Sequence, residues 1–164
     1  MSDYFAYSGP MVTTAPYPTV ALAAATTKTI LQIKAGPADP LIVWKWGVDF
    51  DGTGTAPIKC ELIHTGVVAA TVTAHVAAGV QPYGVVQDAA AVVLGTAATG
   101  YNATAEGTIT ATRYGSLNSV LPGNGDRNEW SLGREFYVPA NGILRIRCTA
   151  PAAVNAVGYI CWSE

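Results

Sequence analysis

Residues 41–50 read LIVWKWGVDF, in which Ile42, Trp44, Trp46, Val48 and Phe50 alternate with Val43, Lys45, Gly47 and Asp49. A period of two belongs to an extended strand, and so aromatic a face has to be covered by a second layer, which commits the chain to packed sheets. The alternation ends in Asp51-Gly52-Thr53-Gly54, a turn composition, and resumes at Ile58-Lys59-Cys60-Glu61-Leu62 as a return strand. Upstream, residues 28–34 (KTILQIK) put Leu31 and Ile33 on one face and are closed by Gly36-Pro37 and Asp39-Pro40.

The C-terminal part repeats this pattern. Residues 134–138 predict a strand, Pro139-Ala140-Asn141-Gly142 a tight turn, and residues 143–150 the partner strand, with Leu144, Ile146 and Cys148 inward and Arg145 and Arg147 outward. After the break at Pro151, residues 154–162 are apolar on both faces. A strand apolar on both sides is buried on both sides, so Val157, Tyr159 and Cys161 are expected at an oligomer interface. Residues 106–114 predict a further strand, residues 121–129 (LPGNGDRNE) an exposed loop, and residues 88–94, with a capping Asp88 and three alanines, a short helix. Short strands, Gly/Pro turns and almost no helix predict an all-β antiparallel β-sandwich or jelly roll.

Residues 1–27 differ: Tyr4, Phe5, Tyr7 and Tyr17 are interspersed with Pro10, Pro16 and Pro18 and a run of small residues. The expected organisation is an extended N-terminal arm over 1–27 and a β-sandwich domain over 28–164, the arm held by a partner through those four aromatic side chains. Deletion of residues 2–20 is then expected to leave a folded domain that no longer binds.

A chain of 164 residues can bury a full core without disulfides or metal. It is 50% hydrophobic and 12% charged, with a formal net charge of -2 and its five arginines and four lysines scattered singly. This leaves no electrostatic footprint for nucleic acid or an anionic membrane, and no apolar run approaches a membrane span. So little charge on a small domain favours association with partners. The segment MSDYFAYSGP has neither a basic nor an apolar signal region, so synthesis and retention in a cytosol are expected. Cys60, Cys148 and Cys161 fit no metal-binding spacing and read as buried free thiols.

Candidate chemistry is thin. His64 and His75 lack partners at a metal-ligand spacing and read as satisfied strand histidines, which argues against a cupin-type enzyme. Asp49-Phe50-Asp51-Gly52-Thr53 resembles the start of a calcium loop without its distal Glu, and reads better as a strand-end turn. Arg113, Arg145 and Arg147 could bind anions, but such arginines more often pair with acids such as Glu61 or Glu135. Trp44 and Trp46 could stack on a sugar, but their shared face reads as core. No nucleophile elbow, phosphate loop or dinucleotide fingerprint occurs, so the expectation is a protein without catalysis, metal or cofactor.

Residues 134–164, REFYVPANGILRIRCTAPAAVNAVGYICWSE, resemble small tailed-bacteriophage virion proteins in their strand, P-x-N-G turn, Arg-alternating strand, T-A-P break and apolar terminal strand. The resemblance implies a jelly-roll, tumour-necrosis-factor-like fold and a homotrimer. It also implies a capsid decoration (cement) role, with the major capsid protein as partner and the virion surface as location. The alternative it leaves is a receptor- or carbohydrate-binding head of a phage fibre, using the loop around 124–128 and Trp130.

Overall fold

The computed structural model describes residues 2–10, 16–84 and 89–164. Among these the chain forms thirteen strands and a single 3-10 turn, Ala77–Gly79, arranged as two antiparallel sheets packed face to face, a β-sandwich. One sheet runs β10 (Gly125–Glu129), β4 (Leu41–Phe50), β13 (Val154–Ser163), β1 (Asp3–Tyr7), β7 (Gln81–Pro82). Within it β11 (Phe136–Val138) also pairs with β4, and β2 (Val20–Leu22) with β13. The other runs β6 (Thr71–Ala74), β8 (Gly100–Ala105), β3 (Thr27–Lys34), β12 (Ile143–Thr149), β5 (Ile58–His64), β9 (Arg113–Val120).

The core lies between the sheets. Trp46, Val48 and Ile160 from the first sheet meet Ile30, Leu62, Leu144 and Ile146 from the second, all fully buried. Gly158 makes the close approach possible, because a Cβ there would stand 2.7 Å from the Ile30 Cδ1. The Pro139-to-Gly142 turn before β12 puts Asn141 at φ 62, a left-handed conformation that asparagine tolerates.

Several local expectations are corrected. Residues 3–7 are no free arm: β1 lies inside the first sheet between β13 and β7, in register from Asp3 opposite Ser163 to Tyr7 opposite Tyr159. Backbone pairing with β13 satisfies one edge of the strand, and the aromatic and Ala side chains on its inner face fill core space that residues 28–164 leave open. Residues 89–94 contain no helix, and Asp88 lies outside the described residues. The expected loop at 121–129 contains β10, paired with β4 from Gly125 opposite Asp49 to Glu129 opposite Lys45. The strand expected over 106–114 is displaced: β8 ends at Ala105 and β9 begins at Arg113.

The face of Trp44 also changes. The register of β13 on β4 shifts between Cys161, opposite Lys45, and Trp162, opposite Val43. Trp44 is the extra residue of this bulge, so Leu41 and Val43 face the core on one side of it and Trp46, Val48 and Phe50 on the other. Ile42 and Trp44 are thereby turned to the outer face.

Candidate interaction surfaces

The outer faces of the two sheets are treated oppositely by the chain. That of the second sheet carries Thr29, Gln32 and Arg145, all fully buried beneath segments of the chain itself. Gln32 receives the Ala70 N–H at 2.8 Å and donates to the Ala98 carbonyl at 2.5 Å. Glu106 accepts from the Thr29 N–H at 2.5 Å and the Thr29 hydroxyl at 2.6 Å. Arg145, expected outward, donates to the Glu106 carbonyl at 2.9 Å and to the Val68 carbonyl, and pairs with the Glu106 carboxylate at 3.5 Å. It does point away from the core, but the segments at 65–70 and 106 cover it. Burial pulls its pKa below the ordinary arginine range and Glu106 opposes that pull. Arg147 pairs with Glu61 at 2.5 Å, and Arg113 lies 5.2 Å over the Phe136 ring. All three arginines are thus engaged within the chain.

The outer face of the first sheet is aromatic. Phe5 and Trp44 meet Tyr83 edge-on, with ring centroids 6.2 and 5.1 Å away, and Tyr7 meets Tyr17 in the same manner at 6.4 Å. Tyr159 lies across Gly47, where a Cβ would stand 2.6 Å from its ring. Two grooves share Tyr83 as a wall. One, about 710 Å³, is lined by Trp44, Trp130 and Leu132 with the carboxylates Asp3, Glu129 and Glu135. The other, about 400 Å³, is lined by Phe5, Tyr7 and Tyr159 with the cations Lys45 and Arg127.

The residues expected to bind partners are spread over this architecture. Tyr4 is buried in the chain's own core, 6.2 Å from the Trp162 ring, and is therefore not a partner anchor. Phe5 and Tyr7 are half-buried on the outer face, and Tyr17 is 66% exposed. Val157 and Tyr159 share that face, and Cys161 lies buried beside Tyr159 against the basic groove, where burial pushes its thiol up to about 12. Cys60 and Cys148 face each other across β5 and β12 as buried free thiols. Asp51 uses both carboxylate oxygens on Asn155, at 2.6 Å each, which holds its pKa below the usual carboxylate value. His75 is buried and neutral, with a pKa of about 4 set by desolvation, and His64 is lowered by the same cause. Among the described residues, no three His, Cys, Asp or Glu side chains gather into a metal-binding group.

A feature that the sequence reading missed is the open edge of the second sheet. No described strand pairs with the outer edge of β9. Its inward side chains close the gap to β10 through side-chain bonds, Asn118 to Asp126 and Ser116 to Asn128, the latter at 3.4 Å. Tyr114, Leu117 and the following Leu121 stand out into solvent. The exposed Leu117 between Ser116 and Asn118 was the available signal, hidden by the misplaced strand at 106–114. Compared with protein-family models, curated proteins and solved structures, the chain has no significant match.

Proposed function

We propose that this protein is a non-enzymatic virion structural protein that decorates and stabilises a bacteriophage capsid, with the major capsid protein as partner. The observation that carries the reading is the open β9 edge, 66% exposed at Leu117, on a chain with only 12% charged residues. An unpaired edge with apolar side chains offers backbone donors and acceptors to an extended segment of a neighbour, which adds as a further strand. The resemblance of residues 134–164 to phage virion proteins supplies the particle. The sandwich acts mechanically: it presents the edge at fixed geometry, and many weak copies on a lattice add up. The test is co-sedimentation with empty capsids of the source virus. Saturable pelleting that Leu117→Lys abolishes, with thermal stability unchanged, is expected; absence of pelleting by the wild-type chain refutes the reading.

A second reading, a receptor- or carbohydrate-binding head, draws on the 710 Å³ groove, where Trp44 and Trp130 stand beside three carboxylates. Aromatic faces stack on sugar rings and carboxylates accept from hydroxyls. The expected loop at 124–128 is not its wall, since β10 occupies it. Glycan-array binding lost in Trp44→Ala would support this reading.

A further inference from the structure

The aromatic face of the first sheet, which no described strand covers, has a charge order along β4. At the level of Lys45, Glu129 lies opposite on β10 and the two pair at 3.5 Å. Two residues to one side, opposite Gly47, stands Arg127, which has no ion-pair partner among the described residues. Two residues to the other side, opposite Val43, β11 begins at Phe136, and the preceding Glu135 brings its carboxylate to the acidic groove. Glu135 is held there by the Gly133 N–H at 2.9 Å on one oxygen. At these three levels the face reads base, neutral pair, acid, with the exposed Asp49 beyond the basic end and Tyr83 as the wall shared by the basic and acidic grooves.

We propose that this face is the interface of a two-fold symmetric homodimer in which the acidic groove of each protomer covers the basic groove of the other. A two-fold axis in the plane of the interface, crossing β4 at the level of Lys45, exchanges the two ends of this pattern. Arg127 of each copy then meets Glu135 of the other, and the neutral Lys45–Glu129 pairs lie near the axis. Such an isologous contact needs a patch complementary to itself, which an ordered plus-to-minus gradient provides and a uniform patch does not. The aromatic residues Phe5, Tyr83 and Tyr159 supply the apolar contact beside the axis, and the unpaired charges of Arg127 and Glu135 sit away from it. The contrast with the second sheet, whose outer face the chain sheathes itself, identifies this face as the one left for another copy. The inference replaces the homotrimer expected from sequence. It stands apart from the capsid reading, because it uses a different face and a measurement made without capsids, and it excludes the saccharide reading, whose groove it fills.

The experiment is molecular mass in solution by sedimentation equilibrium on the full chain and two variants, Arg127→Glu and Glu135→Arg. The wild type is expected at twice the 17.0 kDa chain mass. Each variant alone sets like charges against each other twice per dimer and should weaken self-association by about 100-fold or more. Mixed in equal amounts, the two variants carry only opposite charges across a shared interface, so the dimer should return as a heterodimer. Circular dichroism of each variant checks that these surface substitutions leave the fold intact. A monomeric wild type, a trimeric mass, reversals without effect in folded variants, or a mixture that stays monomeric would each overturn the proposal.

Discussion

The His75 imidazole meets the Tyr7 carbonyl through Nε2 at 3.1 Å, and since a carbonyl only accepts, the neutral ring carries its proton on Nε2. The contact ties the turn after β6 to the end of β1, joining two segments that are far apart in sequence. Nδ1 has no partner among the described residues, and burial keeps the ring neutral to about pH 4.

Stability should therefore depend on pH in a defined window. The folded-state pKa lies below the ordinary value of 6.5, so the unfolded chain takes up a proton that the folded chain refuses. The contribution of His75 is fully present above pH 6.5, is lost as the pH falls from 6.5 to about 4, and amounts to at most about 3 kcal/mol. His64 shifts in the same direction and adds to it. Urea unfolding at a series of pH values measures the slope, and His75→Gln, which keeps a donor without titrating, should reduce it. An unchanged slope in that variant would remove His75 as its cause.

Removal of residues 2–7 should cost the fold itself, contrary to the expectation of a dispensable arm. Tyr4 is buried beside Trp162, and the chain ends are held by reciprocal Ser2 and Glu164 backbone bonds, each 3.0 Å. Tyr4→Ala is expected to destabilise by about 3 to 5 kcal/mol. The complete deletion should yield aggregated protein, because it uncovers an edge of β13. Thermal melts of the point variant and solubility of the deletion check both.

Arg145 should be far less replaceable than an outward-facing arginine on a strand. Its side chain is fully buried and holds the 106 and 68 segments over the second sheet. Arg145→Met removes the cation beside the Glu106 carboxylate and the donor to the Glu106 carbonyl, while the Val68 carbonyl keeps the Thr65 hydroxyl at 2.7 Å, a loss of about 3 to 5 kcal/mol. Arg147→Met, at the half-buried pair with Glu61, should cost clearly less. Chemical denaturation of the two variants side by side gives the comparison.

The three thiols should be inert in the folded protein. All are buried, Cys161 is pushed up to about 12, and a side-chain hydrogen bond to Cys60, with burial, raises Cys148 well above its usual value. A thiol-reactive dye should label the native chain hardly at all and reach three cysteines per chain in denaturant. Rapid native labelling would show that β12 and β13 open readily.

Much of the sandwich was legible in the sequence because strand periodicity is local. The alternation of residues 41–50 and 143–150 is present in each segment alone, and both form strands at nearly those bounds. The same holds for the burial of Leu144, Ile146 and Cys148, and for the free state of the cysteines. What depends on a distant partner was not legible. Asp3 pairs with Ser163 at the far end of the chain, and only that pairing turns an aromatic, proline-flanked segment into an inner strand. Trp44 leaves the core because β13 shifts register by one residue against β4, and a one-residue shift reverses every face beyond it. Arg145 is buried by a loop from 106 that no property of its own strand foretells. The sequence determined which segments would be strands and which side chains were apolar enough to need cover. The tertiary structure decided what covers them, since that depends on pairings between residues that the chain order holds far apart.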